Sequence, residues 1–248
     1  MIGPRKVDKQ LVLYGMGNLG KLAAEIFTEL GIPYRMTDRH DPDVGVCDDH
    51  EAVLVAVCVA TEPYSPIEEK LKMLGFKYVF RVWDIIETYP EIGIHNGWEA
   101  KPSEADWDKV RCVKERFDGL SKSHYDVFIL EHMNCELTNI ERPPKESLPS
   151  TLKDIRKRQV IFNFEFMPKH VVVHQEGYEL ETIKANLKRL QAFRPSLEVA
   201  CYHSRDGLWK IPKFLMDNLP DYDFKFRLHA YQGQGAYIYC TPKERGEG

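Results

Sequence analysis

The stretch QLVLYGMGNLGKLAAEIFTELG, residues 10–31, joins a strand, a glycine-rich turn and a helix. Its first residues are mostly apolar, and the pattern that follows keeps apolar side chains on one helical face before ending at Gly31. Three further strand patterns (PYRMTD, AVLVAVCVA and KYVFRV) and a second helix pattern (SPIEEKLKMLG) come before Pro90. Because strands and helices alternate, this part is predicted to form a Rossmann-like parallel sheet with right-handed crossovers.

The pattern changes after residue 90. Helical patterns run through EADWDKVRCVKERF and SHYDVFILEHMNCEL, and the segment ERPPKESLPS is typical of a loop or linker. Strand and helix patterns then resume, and the last two strands, YDFKFRLHA and GAYIYCTP, flank the glycine-containing YQGQG, which predicts an antiparallel pair. We therefore predict an α/β protein with a nucleotide-binding domain at 1–90, a mostly helical connector at 91–158 and a C-terminal α/β part at 159–248.

Composition and charge exclude several classes of protein. The 248 residues have a net charge of -4, so no global basic field favours nucleic acid. The longest apolar run, AVLVAVCVA, is far shorter than the roughly 20 residues of a membrane helix, and the polar N-terminus does not resemble a signal peptide. The six cysteines form no CxxC pair, which indicates reduced thiols in a cytoplasmic protein without structural zinc.

The turn YGMGNLG has the G-x-G-x-x-G spacing of dinucleotide-binding proteins. Such glycines let a diphosphate approach the backbone, and the helix N-terminus supplies N–H donors. An acidic residue about 20 positions further on is expected to hold ribose hydroxyls, and Asp38 closes the second strand. A nucleotide or nucleotide-sugar is therefore predicted at this turn. The predicted binding residues are Gly15, Gly17, Asn18, Gly20, Asp38 and Thr61.

Two alternatives remain open at this turn. Arg39 directly follows Asp38 and would suit a 2′-phosphate, or the glycines serve only to pack the helix on the strand. Dehydrogenase or epimerase chemistry is the weakest reading, because no Ser/Tyr/Lys or His/Asp set accompanies the turn.

The C-terminal stretch VVVHQEGYELETIKANLKRLQAFRPSLEVACYHSRDGLWKIPKFLMDNLPDYDFKFRLHA, residues 171–230, resembles the C-terminal half of FkbM-type S-adenosylmethionine-dependent methyltransferases. That family has a strand followed by (D/H)xEGxE and a helix, then RP before a strand ending in YH, a helix with DLW-IP and a Y-F-LR-H strand. The matching residues are Glu176, Gly177, Glu179, Arg194, Pro195, Tyr202, His203, Asp206, Trp209, Ile211, Pro212, Tyr222, Arg227 and His229. The segments YGMGNLG, IHNGW and SHYDVFILEH also look like regions that precede the core in longer members.

The resemblance implies a partial class I methyltransferase fold and methyl transfer from S-adenosylmethionine to a hydroxyl of a sugar or similar small metabolite. It departs from the family where the cofactor turn should stand, because residues 151–169 contain no glycine. We therefore expect the first, cofactor-binding half of the core to be missing, and catalysis to be lost or to use an unconventional cofactor site. The alternative is a non-catalytic nucleotide or nucleotide-sugar binding protein, or an assembly partner of an intact methyltransferase.

Four residues are the candidates for catalysis that the resemblance implies. They are His174, Glu176, Glu179 and His203, which in the family would position substrate or act as acid and base. The local alternative is that the glutamates stabilise a helix N-terminus by roughly 0.3–1 kcal/mol each, and that His203 is structural.

No metal site is predicted, because His170 and His174 lack a third ligand on their strand. We also expect the strand edge left by the missing half to be covered by the N-terminal domain, by the connector or by a second copy in a homo-oligomer.

Overall fold

The computed structural model describes residues 7–40, 49–92, 102–132, 140–145, 168–204, 206–231 and 233–244. The chain divides into two compact units, one of residues 1–95 and 146–156 and the other of residues 96–145 and 157–248. In the described ranges, no helix is long and apolar enough to span a membrane. The segment 151–167, which includes most of the glycine-free stretch, lies outside the described residues, so the prediction of a missing cofactor half stays a prediction.

The N-terminal unit contains a four-stranded parallel sheet, as the alternating pattern predicts. Its strands, in the spatial order β2-β1-β3-β4, are β1 (Gln10–Tyr14), β2 (Tyr34–Thr37), β3 (Val53–Val57) and β4 (Tyr78–Arg81). Its helices are α1 (Asn18–Glu29), α2 (Tyr64–Met73) and α3 (Val82–Ile86), followed by a 3₁₀ turn at Pro90–Ile92. All five residues of β3 are buried, as expected for a parallel strand with both faces covered.

The strand order places a topological switch point beside β1. The chain leaves β1 towards β2 on one side, and β3 pairs with β1 on the other. Because ligands of open α/β sheets bind outside the carboxyl ends of strands at such a point, the glycine turn after β1 stands in the expected place.

The C-terminal unit contains a second, mixed sheet in the order β5-β6-β8-β7. Its described elements are α4 (Glu104–Glu115), α5 (Gly119–His132), β5 (His170–Val173), α6 (Glu179–Phe193), β6 (Ser196–Ala200), α7 (Gly207–Asn218), β7 (Tyr222–Leu228) and β8 (Ala236–Pro242). Strands β5 and β6 are parallel, whereas β8 runs antiparallel to both β6 and β7. The predicted antiparallel closing pair and the mixed α/β class are confirmed.

Helix α5, from the segment predicted as a connector, packs against β7 of this sheet. The backbone N–H of Phe226 donates to the Ser121 hydroxyl over 3.0 Å, and that of Leu228 donates to His124 Nδ1 over 3.2 Å. Tyr125 is fully buried and donates its hydroxyl to the carbonyl of Leu208. The aromatic core of this unit therefore joins α5 to the sheet.

Candidate functional site

The turn between β5 and α6 takes an unusual backbone path. Glu176 has φ 47° and Gly177 has φ 99°, both in the left-handed region. Glycine adopts this region at little cost, whereas a residue with a Cβ pays roughly 1–2 kcal/mol. The path places the Glu176 carboxylate beside the imidazoles of His174 and His203.

Four side chains meet at this turn, and we call His174, Glu176, Glu179 and His203 the acid–histidine cluster. Glu176 Oε1 lies 3.0 Å from His174 Nε2, and Glu176 Oε2 lies 3.3 Å from His203 Nε2. Glu179 Oε1 lies 2.6 Å from His203 Nδ1. The two carboxylates therefore alternate with the two imidazoles in a continuous chain of polar contacts.

Glu179, at one end of this series of polar contacts, is held in place by the backbone. Its side chain is almost fully buried, and its two oxygens accept the backbone N–H groups of Gln175 over 2.9 Å and Gly177 over 3.0 Å. Burial alone would raise the pKa of this carboxyl, but the charge and hydrogen bond of His203 and the backbone donors outweigh it, so the pKa is lowered. Glu179 thus holds a negative charge against the His203 ring.

The pKa of the His203 imidazole shifts in the opposite direction. Burial alone would lower the pKa of its imidazole, but the carboxylates of Glu176 and Glu179 outweigh burial and raise that pKa. His174 is fixed by a different partner, since its Nδ1 lies 2.7 Å from the Tyr237 hydroxyl. Burial raises the pKa of Tyr237, so this hydroxyl stays protonated near neutral pH.

The cluster stands at the carboxyl ends of β5 and β6, where parallel strands of open sheets present ligand-binding groups. Its chemical capacity is proton exchange, because carboxylates and imidazoles in contact can pass a proton between them. The side chains of His174 and Glu176 are each 12% exposed, so neither is completely enclosed.

The structure thus brings together all four residues predicted as catalytic, although their roles stay predictions. Sequence reasoning missed Tyr237, which lies 63 positions from His174. Tyr237 pairs with Ala200 in the register of β8 and β6, so knowledge of that register would have placed it at the carboxyl end of β6. His170, the other histidine considered for a metal, lies instead against the hydroxyl of Ser196 over 2.9 Å.

The three glycines of the N-terminal turn differ in what they do. Gly15 has φ 117°, and a Cβ there would lie 2.9 Å from the carbonyl oxygen of Cys58. A Cβ on Gly20 would lie 1.8 Å from the carbonyl oxygen of Gly15, so this glycine allows α1 to pack on its turn. Among the residues that the structure describes, a Cβ on Gly17 would meet nothing within 4 Å. Packing therefore explains Gly15 and Gly20, and Gly17 alone faces open space.

Charged side chains surround this turn at the ends of the neighbouring strands. Asp38 follows β2, and its carboxylate accepts the backbone N–H of His40 over 2.8 Å. Arg39 forms an exposed ion pair of 2.6 Å with Glu62, which follows β3 in the same loop as Thr61. The guanidinium of Arg39 therefore has a carboxylate partner, but the exposed pair is weak.

Comparison with solved structures gives a methyltransferase-like fold. The crystal structure of methyltransferase FkbM from Methylobacillus flagellatus KT matches this chain with a TM-score of 0.51, over 94% of this chain and 90% of that chain. Sequence identity between the two is 12%, so the likeness concerns the fold. No protein-family model matches the chain, and no curated protein matches its sequence.

Proposed function

We propose that the acid–histidine cluster is the acceptor side of a methyltransferase site. The reaction would move a methyl group from S-adenosylmethionine to a hydroxyl of a sugar or similar small metabolite. The observation that supports this most directly is the position of Glu176, held between two imidazoles at the carboxyl ends of β5 and β6. The methyltransferase-like fold supports the same assignment.

In this proposal Glu176 takes the proton of the acceptor hydroxyl. The acceptor oxygen forms a bond to the methyl carbon, the bond from that carbon to sulfur breaks, and the hydroxyl proton must leave for a base. A carboxylate in hydrogen-bond reach of an acceptor hydroxyl can take its proton, and the imidazoles in contact with Glu176 can pass that proton on. His174 and His203 would orient Glu176, and Tyr237 would orient His174.

S-adenosylmethionine, when bound, supplies an electrophilic methyl group. Within the N-terminal unit taken by itself, Gly17 and Asp38, which follows the adjacent strand β2, would suit the adenosine part of a nucleotide-like ligand.

Formation of S-adenosylhomocysteine in the presence of a panel of sugars and nucleotide-sugars tests the proposal. Glu176→Gln should slow this reaction by about 10²–10⁴-fold, which is the usual effect of removing a general base. Glu181→Gln is the matched control, because Glu181 is an exposed acid in the first turn of α6. Turnover by Glu176→Gln at the wild-type rate would refute the role of the cluster.

A second candidate function is non-catalytic nucleotide or nucleotide-sugar binding at the N-terminal turn. The openness of Gly17 favours it, since the other two glycines are explained by packing. Calorimetric titration with S-adenosylmethionine, NAD(H) and UDP-sugars on wild type and Gly17→Val tests it. Gly17 has φ -73° and ψ -166°, which any residue adopts, so the variant should fold while blocking close approach of a diphosphate.

The titrations distinguish three hypotheses, namely a ligand at the N-terminal turn, a cofactor site elsewhere and a role as an assembly partner. Binding that is lost in Gly17→Val and kept in the neighbouring control Met16→Ala would assign the ligand to this turn. Binding of S-adenosylmethionine that survives Gly17→Val would place the cofactor elsewhere. Binding of none of these compounds would favour a role as an assembly partner.

A further inference from the structure

We infer that His174, Glu176 and His203 form a binding site for a divalent transition-metal ion, with zinc as its representative. The ligand atoms, one from each residue, all lie within 4.8 Å of one another. Glu176 stands between the two Nε2 atoms, at 3.0 Å from His174 and 3.3 Å from His203. Ligands at the usual 2.0–2.2 Å from zinc are separated from each other by roughly 3.0–3.5 Å, and the two contacts of Glu176 with the imidazoles fall within that range.

The outer contacts of both imidazoles are those of metal-binding histidines. A ligating histidine typically uses its second ring nitrogen to bond a carboxylate or another polar group, which fixes the ring. Here His203 Nδ1 contacts Glu179 over 2.6 Å and His174 Nδ1 contacts Tyr237 over 2.7 Å. Both rings therefore direct Nε2 towards Glu176.

The two residues that hold the imidazoles, Glu179 and Tyr237, are themselves held by the backbone and by the sheet. Glu179 is held by the backbone N–H groups of Gln175 and Gly177, and Tyr237 belongs to β8, which pairs on both sides with neighbouring strands. A metal site needs such prearranged ligands, since mobile side chains lose entropy on binding. The left-handed backbone of Glu176 adds to this arrangement, because it turns the third ligand towards the two rings.

The donor set selects the class of ion. Imidazole nitrogens suit zinc, copper, iron and nickel, whereas magnesium and calcium prefer sites made of oxygen ligands. Two histidines and one glutamate provide three protein ligands, the number found at catalytic zinc sites, and leave a coordination position for water or substrate.

The rival interpretation is a hydrogen-bonded network that never holds a metal. Both interpretations predict the same contacts in the absence of an ion, so ion binding must be measured directly. Zn²⁺ binding is measured without S-adenosylmethionine or an acceptor, so the result of a methyltransferase assay does not decide whether the metal site exists.

Titration of the chelator-treated full chain with Zn²⁺, and with Co²⁺ as a spectroscopic probe, tests the site. We expect one ion per chain and a visible Co²⁺ absorption spectrum typical of nitrogen and oxygen ligands. Glu176→Gln and, separately, His203→Gln should weaken Zn²⁺ binding by about 100-fold or more, and Glu179→Gln by about 10–100-fold through loss of the outer contact.

Matched variants make the outcome decisive. His170→Asn and Cys112→Ser remove an exposed histidine and an exposed thiol outside the cluster, and they should leave binding unchanged. Circular dichroism shows whether each variant folds, and His174→Asn replaces any ligand variant that does not. Absence of stoichiometric binding to the folded wild type, or binding retained in the folded ligand variants, would overturn the inference.

Discussion

Two buried glutamates of the C-terminal unit have the same charge and different counter-ions. Glu131 pairs with the buried Arg142, whose guanidinium also donates to the carbonyl of Ala230. Glu179 pairs with His203. Arginine keeps its charge at every pH that proteins tolerate, whereas histidine gives up its proton near neutrality. The Glu131–Arg142 ion pair is therefore charged at every such pH. The Glu179–His203 pair, by contrast, can change its protonation or its partner.

The neighbourhood of each pair differs accordingly. Glu131 also accepts the backbone N–H of Gly233 over 3.0 Å, which ties the end of α5 to the loop before β8. In the acid–histidine cluster, the carboxylate–imidazole contacts change when a proton moves between the groups or when a metal ion binds between them.

The largest expected loss of stability comes from breaking the Glu131–Arg142 ion pair. Glu131→Gln leaves the Arg142 charge buried without its carboxylate, so the free energy of unfolding should fall by about 3–5 kcal/mol. Urea unfolding measures this loss. Asp126→Asn is the control, because the exposed pair of Asp126 with Lys114 should contribute at most about 1 kcal/mol.

The next effect is loss of stability in acid through His124. This buried imidazole accepts the backbone N–H of Leu228, and its pKa is lowered to about 4 by burial and by the charges of Arg227, His229 and Arg142, against an opposing effect of Asp118. Because the unfolded chain binds the proton more readily, stability should decline as the pH falls from about 6.5 to about 4, by up to about 3 kcal/mol.

His124→Asn isolates this contribution. The amide oxygen can accept the same backbone hydrogen bond but does not titrate, so the variant should have a flatter acid limb in unfolding measurements between these pH values. An acid limb of unchanged slope in the variant would show that other groups cause the decline.

A smaller loss is expected when the exchangeable pair is broken. Glu179→Gln removes one carboxylate charge, but His203 keeps its contact with Glu176 and can release its proton, so the imidazole is not left as an unpaired buried charge. The free energy of unfolding should fall by about 1–3 kcal/mol, less than for Glu131→Gln. Glu181→Gln on the same helix should change it by less than about 0.5 kcal/mol. Equal losses for the two buried glutamates would contradict the distinction between the pairs.

The smallest effect is expected at Tyr237. Tyr237→Phe removes the hydroxyl that fixes His174, at a cost of about 1 kcal/mol in stability. Tyr239→Phe removes a comparable hydrogen bond of 2.8 Å to His229. Both variants should unfold at similar urea concentrations, but Tyr237→Phe alone should weaken Zn²⁺ binding, and equal Zn²⁺ affinities would separate Tyr237 from the site.

Local sequence pattern predicted much of the fold. The alternation after residue 10 indicated a parallel sheet, and the glycines of YQGQG indicated the antiparallel pair, because strand period and turn chemistry depend on neighbouring residues. Pattern did not separate the roles of the three glycines, since the approach of Gly20 to the Gly15 carbonyl depends on how α1 packs.

The candidate site was predictable in part, because some of its residues are neighbours in the sequence. His174, Glu176 and Glu179 are close in sequence around one strand-to-helix turn, and a resemblance to FkbM-type enzymes singled them out. By contrast, their contacts with His203 and Tyr237, and the bond of Arg142 to Glu131, join residues that are 11 to 63 positions apart. The sequence by itself determined the elements and the turn. Only the tertiary structure decided which charges meet, through the order and register of β5, β6 and β8 for the acid–histidine cluster and through the placement of α5 for Glu131.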